Sequence, residues 1–239
     1  YNHQPSTINC QLLTASFVVD QFFLSDPAEE AAMLLCIDKL VNTHDNVVTF
    51  NGKTFDVPLL ETRFTLSRIA PSFADKPHVD LLHYSRRAWR GMLSSLSLGS
   101  LEFHLLGVRR DQQDIAGFLI PQLYRDYLHA GAAAAHEEMS RVLYHNLHDI
   151  LSMVTLAARL HDVFARPSTP DEYLALGRHH ERNGDWAQAV QAYQEAKDEG
   201  ERMKDEKQGH PSSFTPHPSQ EAQRRLANGL KRLGRRNEA

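Results

Sequence analysis

The sequence predicts an α/β layered domain followed by a small all-α tail. Three observations carry that reading. Strand-like and helix-like segments alternate as far as Leu82, the pattern of an α/β layer structure. From there the chain reads as helix almost throughout. A helical hairpin pattern then follows a proline-containing break at residues 166–170.

The first strand is expected within residues 11–24, where Phe17, Val18, Val19, Phe22 and Phe23 supply β-branched and aromatic side chains. Ser25 or Asp26 caps a helix, with Pro27 in its first turn and Glu29 and Glu30 at the positive end of its dipole. Residues 31–41 carry apolar side chains at helical spacing, and residues 42–46 turn the chain. Residues 47–50 form a short apolar run suited to a buried strand, and residues 78–82 another. The longest helix is expected over 132–165, where Val142, Leu143, Leu147, Ile150, Leu151 and Val154 build a broad apolar face. The break at 166–170 sets the expected domain boundary, giving domains 1–165 and 170–239.

Beyond the break, Leu176, Gly177, Gly184, Asp185, Ala189, Tyr193 and Ala196 occupy the large and small positions of a tetratricopeptide-like helical hairpin. Small residues let two helices approach, aromatics fill the gap between them, and Gly184-Asp185 makes the turn. Leu226, Ala227 and Leu230 repeat the first-helix pattern after a polar insertion at 201–219 that reads as a linker. So short an array is expected to pack on the main domain or on a protein partner.

Composition narrows the function. The chain has 239 residues, and it contains no apolar run of the roughly 18 residues that a membrane-spanning helix needs. Residues 1–10 lack the basic-then-apolar order of a signal peptide. Cys10 and Cys36 stand far apart, which argues against a disulfide scaffold and a cysteine zinc site, and a reducing cytoplasm is the expected compartment. A net charge of −4 means that contact with phosphate requires a local basic patch or bound cations.

Two segments could carry chemistry. Asp56 closes the stretch that begins at Asn51, just past the strand at 47–50, where open α/β sheets build sites. Phe55 is expected to pack inward beside it. Asp56 either points at the sheet edge or simply caps the helix that begins at Val57-Pro58. On the long helix His145 and Asp149 lie one turn apart and share a face with Asn146. They form either a reactive group or a solvated polar stripe. Arg86, Arg87 and Arg90, together with Arg109 and Arg110, are candidate phosphate contacts or a solvated helix face. Trp89 and Tyr124 could stack on a base or belong to the core.

Asn51 to Asp56 resembles the second motif of the DEDD exonucleases, which have a ribonuclease H-like fold, and His145 to Asp149 resembles their third. Residues 21–30, 78–82, 97–107 and 114–127 resemble the YprB-like branch of that superfamily. The resemblance implies a ribonuclease H-like mixed β-sheet flanked by helices, and a metal-dependent 3′→5′ exonuclease acting on single-stranded DNA or RNA. In such enzymes four carboxylates hold two Mg2+ or Mn2+ ions. Asp56 and Asp149 would be two of these ligands, facing each other across a cleft, and His145 would orient or deprotonate the attacking water. Asn51, Arg86, Arg87 and Arg90 would contact the strand. Two departures stand out: histidine sits four residues before Asp149, and no Asp-x-Glu precedes Asp56. That motif is therefore expected outside these residues. The alternative is a catalytically inactive ribonuclease H-like scaffold that binds nucleic acid or a protein partner through the helical tail.

Overall fold

Apolar and polar residues alternate from Thr7 to Leu12, and this stretch forms β1 (Ser6–Leu12), antiparallel to β2 (Ala15–Gln21) with Ile8 opposite Val19 and Cys10 opposite Phe17. The computed structural model describes residues 6–12, 15–110, 114–130, 136–206 and 218–234. The hairpin corrects the expectation of one strand over 11–24. The period-two pattern of Ile8, Cys10 and Leu12 was present in a stretch read only as polar.

Asp26 caps a short 3-10 turn, its carboxylate accepting the Ala28 N–H at 2.8 Å, and α1 (Glu30–Asn42) follows. Leu34 of α1, Phe64 of α2 (Asp56–Leu66) and Phe73 are buried together, the two rings meeting edge to face at 5.6 Å. Val47 of β3 (Val47–Thr49) packs against the same cluster, and β3 runs parallel to β4 (His78–Asp80). Among the described residues the four strands make two separate two-stranded sheets, not one mixed sheet. Strand patterning is local, whereas partner choice is not, and β3 and β4 are only three residues long.

Helices dominate the rest: α3 (Leu81–Trp89), α4 (Leu98–Leu101) running into a π turn at Glu102–Leu106, α5 (Ile120–Ala130) and α6 (His136–Ala165). The expected start of the long helix, 132–135, lies outside the described residues. No described helix is long and apolar enough to cross a membrane.

The chain forms two compact units, and they do not follow the break at 166–170. One comprises residues 1–81 and 98–155, the other residues 82–97 and 156–239. Side-chain packing explains why the second unit recruits α3 and the end of α6. Tyr84 lies 6.1 Å from Phe164, and Phe164 lies 5.3 Å from His179 of α7 (Pro170–Asn183). Trp89 is buried in this unit, so of its two readings the core reading holds.

Within the second unit α7, α8 (Trp186–Glu206) and α9 (Pro218–Arg232) pack around Leu174, Ala189, Tyr193, Ala196 and Ala222. A Cβ on Gly177 would sit 2.3 Å from Tyr193 Cε1, so only glycine admits the ring there. Gly184 takes φ 83° at the helix end, the left-handed conformation that glycine supplies cheaply. These contacts pack α7 and α8 together as a helical hairpin. Of the insertion expected at 201–219, residues up to Glu206 continue α8, residues 218 and 219 begin α9, and residues 207–217 lie outside the described residues.

α7 starts with a capping arrangement. Thr169 accepts the Glu172 N–H, and Glu172 reaches back to the Ser168 N–H at 2.8 Å while pairing with Arg159. Burial raises the Glu172 carboxyl, but the Ser168 N–H and Arg159 more than offset it and hold the group below its ordinary range. A carboxyl lowered in the folded state adds stability above its unfolded value, about 4.5, and loses it as pH falls through the folded value. Glu172→Gln is therefore expected to lower the melting temperature near neutral pH. The deficit should shrink as pH drops below about 4.5. A deficit that does not change with pH in thermal melts would contradict this account.

Candidate active site

Arg110 sits at the centre of the polar group in the first unit. Its Nε and Nη2 donate to the two oxygens of Glu102 at 2.7 Å each, a fork-to-fork pair. Nη2 also donates to Asp149 Oδ1 at 2.5 Å, and Nη1 reaches Asp114 Oδ2 at 3.4 Å. Glu102 is only 1% exposed, at the start of the π turn that Gly107 ends with φ 67°. Burial raises the Glu102 carboxyl, yet hydrogen bonds from Arg110 and Ser152 hold it below the usual range. Glu102, first, and Asp149 keep the Arg110 guanidinium protonated more firmly than usual.

His145 joins this web. Its Nδ1 lies 2.6 Å from Asp114 Oδ1 and 3.0 Å from Arg110 Nη1. A guanidinium only donates and an ionised carboxylate only accepts, so Nδ1 can satisfy one of them. Asp114 is the shorter contact. Burial raises its carboxyl, but His145 and Arg110 outweigh burial and hold it ionised. The Nδ1 proton is therefore assigned to the Asp114 bond. That leaves Nε2 with a lone pair, 3.5 Å from Asp149 Oδ2. Asp149 thus gives Oδ1 to Arg110 and turns Oδ2 toward His145. Two facing acceptors at that separation suit a shared proton donor, such as a water about to attack. Asn146 accepts from Gln21 Nε2 at 3.0 Å, tying α6 to β2, and Tyr124 donates to Leu24 O at 2.8 Å.

A second carboxylate pair lies at the end of β3. Asp80 is 1% exposed and accepts the N–H of Asn51 at 2.9 Å and of Lys53 at 3.1 Å, which shapes the turn at 51–54. Asn51 takes φ 63° there, and its side-chain oxygen accepts from Thr54 Oγ1 at 2.8 Å. Gly52 is required, since a Cβ would meet Thr49 Cβ at 2.5 Å. Asp56 begins α2, exposed at the surface. Its carboxyl lies above the ordinary range, first through partial desolvation and then through the charge of Asp80, while its own backbone N–H opposes them. Its exposure limits how far these causes act. Phe55, expected inward, is 65% exposed and takes the cap position of α2, which begins at Asp56 rather than at Val57.

Among the described residues no three His, Cys, Asp or Glu side chains stand together as a metal-holding group. The structure brings His145 and Asp149 together with Asp114, while Asp56 feels the charge of Asp80. It does not gather Asp56 and Asp149 with a third ligand. Arg110, read from sequence as a phosphate contact, is instead committed to carboxylates. Arg86 on α3 and Arg90 just past its end are exposed, in the other compact unit. Arg87 lies over the Tyr84 ring at 4.9 Å and donates to His179 Nδ1 at 3.2 Å. Glu102 and Asp114 were missed as members of this group. They lie on irregular turns, where helical spacing gives no signal.

The web makes a stability test possible. Arg110→Ala strands the buried Glu102 charge and is expected to cost about 3–5 kcal/mol. Replacing both Glu102 and Arg110 with Met should recover much of that loss, so a double-mutant cycle by urea denaturation should be strongly non-additive. Additive costs would show that the pair is not coupled.

Comparison with known proteins gives the family of the chain. Residues 8–161 match the family described as the RNase_H superfamily. A protein of Bacillus subtilis (strain 168), described as "Uncharacterized protein YprB", is 38% identical over 139 residues, covering 58% of this chain and 32% of the relative. The chain thus spans about a third of that curated relative's length. No solved structure matches it.

Proposed function

Because the chain belongs to the RNase H superfamily, we propose that it is the nuclease domain of a protein that hydrolyses phosphodiester bonds in nucleic acid. The observation that carries the reading is the His145–Asp149 pair on α6, with Asp114 holding the Nδ1 proton so that Nε2 faces Asp149 Oδ2 at 3.5 Å. In this reading His145 Nε2 takes the proton of the attacking water. Asp114 steadies the imidazolium that forms, and Arg110 keeps Asp149 in place.

The finer reading is a 3′→5′ exonuclease of the DEDD type with Mg2+ or Mn2+ held by Asp56 and Asp149. The donor chemistry suits such ions. Asp56 is an exposed carboxylate whose carboxyl is raised first by partial desolvation and then by the charge of Asp80, and a hard cation bound to its oxygens would offset both. Three carboxylates, Asp149 among them, stand around the single Arg110 guanidinium. Bound divalent ions would neutralise the scissile phosphate and lower the proton affinity of water. Asn51, Arg86, Arg87 and Arg90 remain the proposed contacts to the strand, a reducing cytoplasm the proposed compartment, and the α7–α8 hairpin a proposed tetratricopeptide-like module. A second reading, an inactive scaffold, is favoured by the guanidinium already seated on Asp149 and by the lack of a three-ligand group among the described residues.

The test uses the full-length gene product with end-labelled single-stranded DNA and RNA. Shortening from the 3′ end is expected with Mg2+ or Mn2+, and chelation should stop it. Asp149→Asn should abolish it, since an amide supplies no charge to hold a cation. His145→Ala should slow it by about 10²–10⁴-fold. An intact substrate under all these metal conditions would leave the scaffold reading in its place.

A further inference from the structure

The second unit contains a cleft of about 890 Å³ whose lining is dominated by arginine. Arg86 and Arg87 enter it from α3 and Arg90 from the residue just after that helix, Arg178 and Arg182 from α7, and Arg225 from α9. Only two carboxylates, Glu181 and Glu221, line it with them. Six guanidinium groups against two carboxylates leave a net charge of +4, in a chain whose total is −4. A solvated helix face does not account for this, because the charges converge on one concavity from three helices that are far apart in sequence.

The arginines fall into two sets. Arg178 and Arg225 are clamped by Glu221 at 3.3 and 2.8 Å, Arg225 also reaches Glu181 at 2.9 Å, and Arg87 is held by Tyr84 and His179. Burial first, then the Arg87 charge, lowers the basicity of His179, as suits a neutral ring accepting from a guanidinium. This set forms a rigid floor. Arg86, Arg90 and Arg182 are exposed, and no carboxylate among the described residues pairs with them. Mutual repulsion among such groups opposes folding, and a bound polyanion removes it.

We propose that this cleft binds the phosphate backbone of a single-stranded nucleic acid, with Arg86, Arg90 and Arg182 as the phosphate contacts and the Trp186 indole beside them as a stacking surface. The volume is near the upper end of the roughly 300–1,000 Å³ typical of ligand pockets, more than one phosphate fills. A charge of +4 matches several phosphates in a row, and arginine forks fit phosphate oxygens in pairs. Trp186 is half-buried and lines the same cleft, and aromatic rings accept any base. The choice of a nucleic-acid strand over an acidic peptide rests on the nuclease reading above. The cleft itself does not.

The experiment is fluorescence anisotropy of the full-length protein with a labelled oligonucleotide of about 12 nucleotides, in chelator so that nothing is cut. Wild type should bind, and the triple variant Arg86→Ala, Arg90→Ala, Arg182→Ala should bind at least about tenfold more weakly. Its slope of log K against log salt should fall by about 2, as expected for three lost single-strand phosphate contacts. Arg86→Glu alone, at an exposed position that folding tolerates, should weaken binding in the same direction. Wild-type affinity and salt slope in the triple variant would overturn the proposal, as would tighter arginine-dependent binding of a labelled poly-glutamate peptide. Arginine-dependent binding without any hydrolysis in metal would defeat the nuclease reading and leave the cleft assignment standing. Hydrolysis with binding untouched by the arginine variants would do the reverse.

Discussion

The guanidinium of Arg110 ties together three carboxylates that would otherwise repel each other around one histidine. Glu102 is buried on the π turn, Asp114 lies on the loop before α5, and Asp149 sits on α6, so a single side chain connects three segments. The order of strength follows from geometry. The two-pronged bond to the buried Glu102 anchors the guanidinium, and the single contacts to Asp114 and Asp149 then set the position of each relative to His145. His145 inherits its orientation from this arrangement. It is a histidine supported on one ring nitrogen and open on the other, the condition for moving a proton.

How much of this was legible in the sequence depended on the range of the signal. Helix caps and turns are local, and Asp26 and Gly184 act as such residues ordinarily do. The close approach of Gly177 to Tyr193 was likewise readable, because small and large residues recur at helical spacing. His145 and Asp149 could be paired because one helical turn separates them. The group that gives them meaning could not, since Arg110 reaches Asp149 through tertiary folding and reaches Glu102 and Asp114 across irregular turns. The division into compact units was hidden for the same reason. A proline break marks where the backbone changes direction, whereas Tyr84, Phe164 and His179 decide which helices share a core.

Charge is distributed unevenly between the two units. In the first, a guanidinium is surrounded by carboxylates, and the surplus is negative near the proposed chemistry. In the second, carboxylates are surrounded by guanidinium groups, and the surplus is positive along a cleft. Hard cations and a water are at home in the first environment, and a phosphate chain in the second. A nearly balanced total charge therefore conceals two local fields of opposite sign, which a composition summary averages away.

The ring of His145 offers the most direct test of this account. Long-range proton–nitrogen NMR on histidine-labelled protein distinguishes the two neutral tautomers by their nitrogen shifts. The Asp114 bond requires the proton of the neutral ring on Nδ1, with Nε2 unprotonated toward Asp149, and Asp114→Ala should release that preference. A neutral His145 carrying its proton on Nε2 in the wild-type protein, unchanged by Asp114→Ala, would contradict the assignment of His145 as the base.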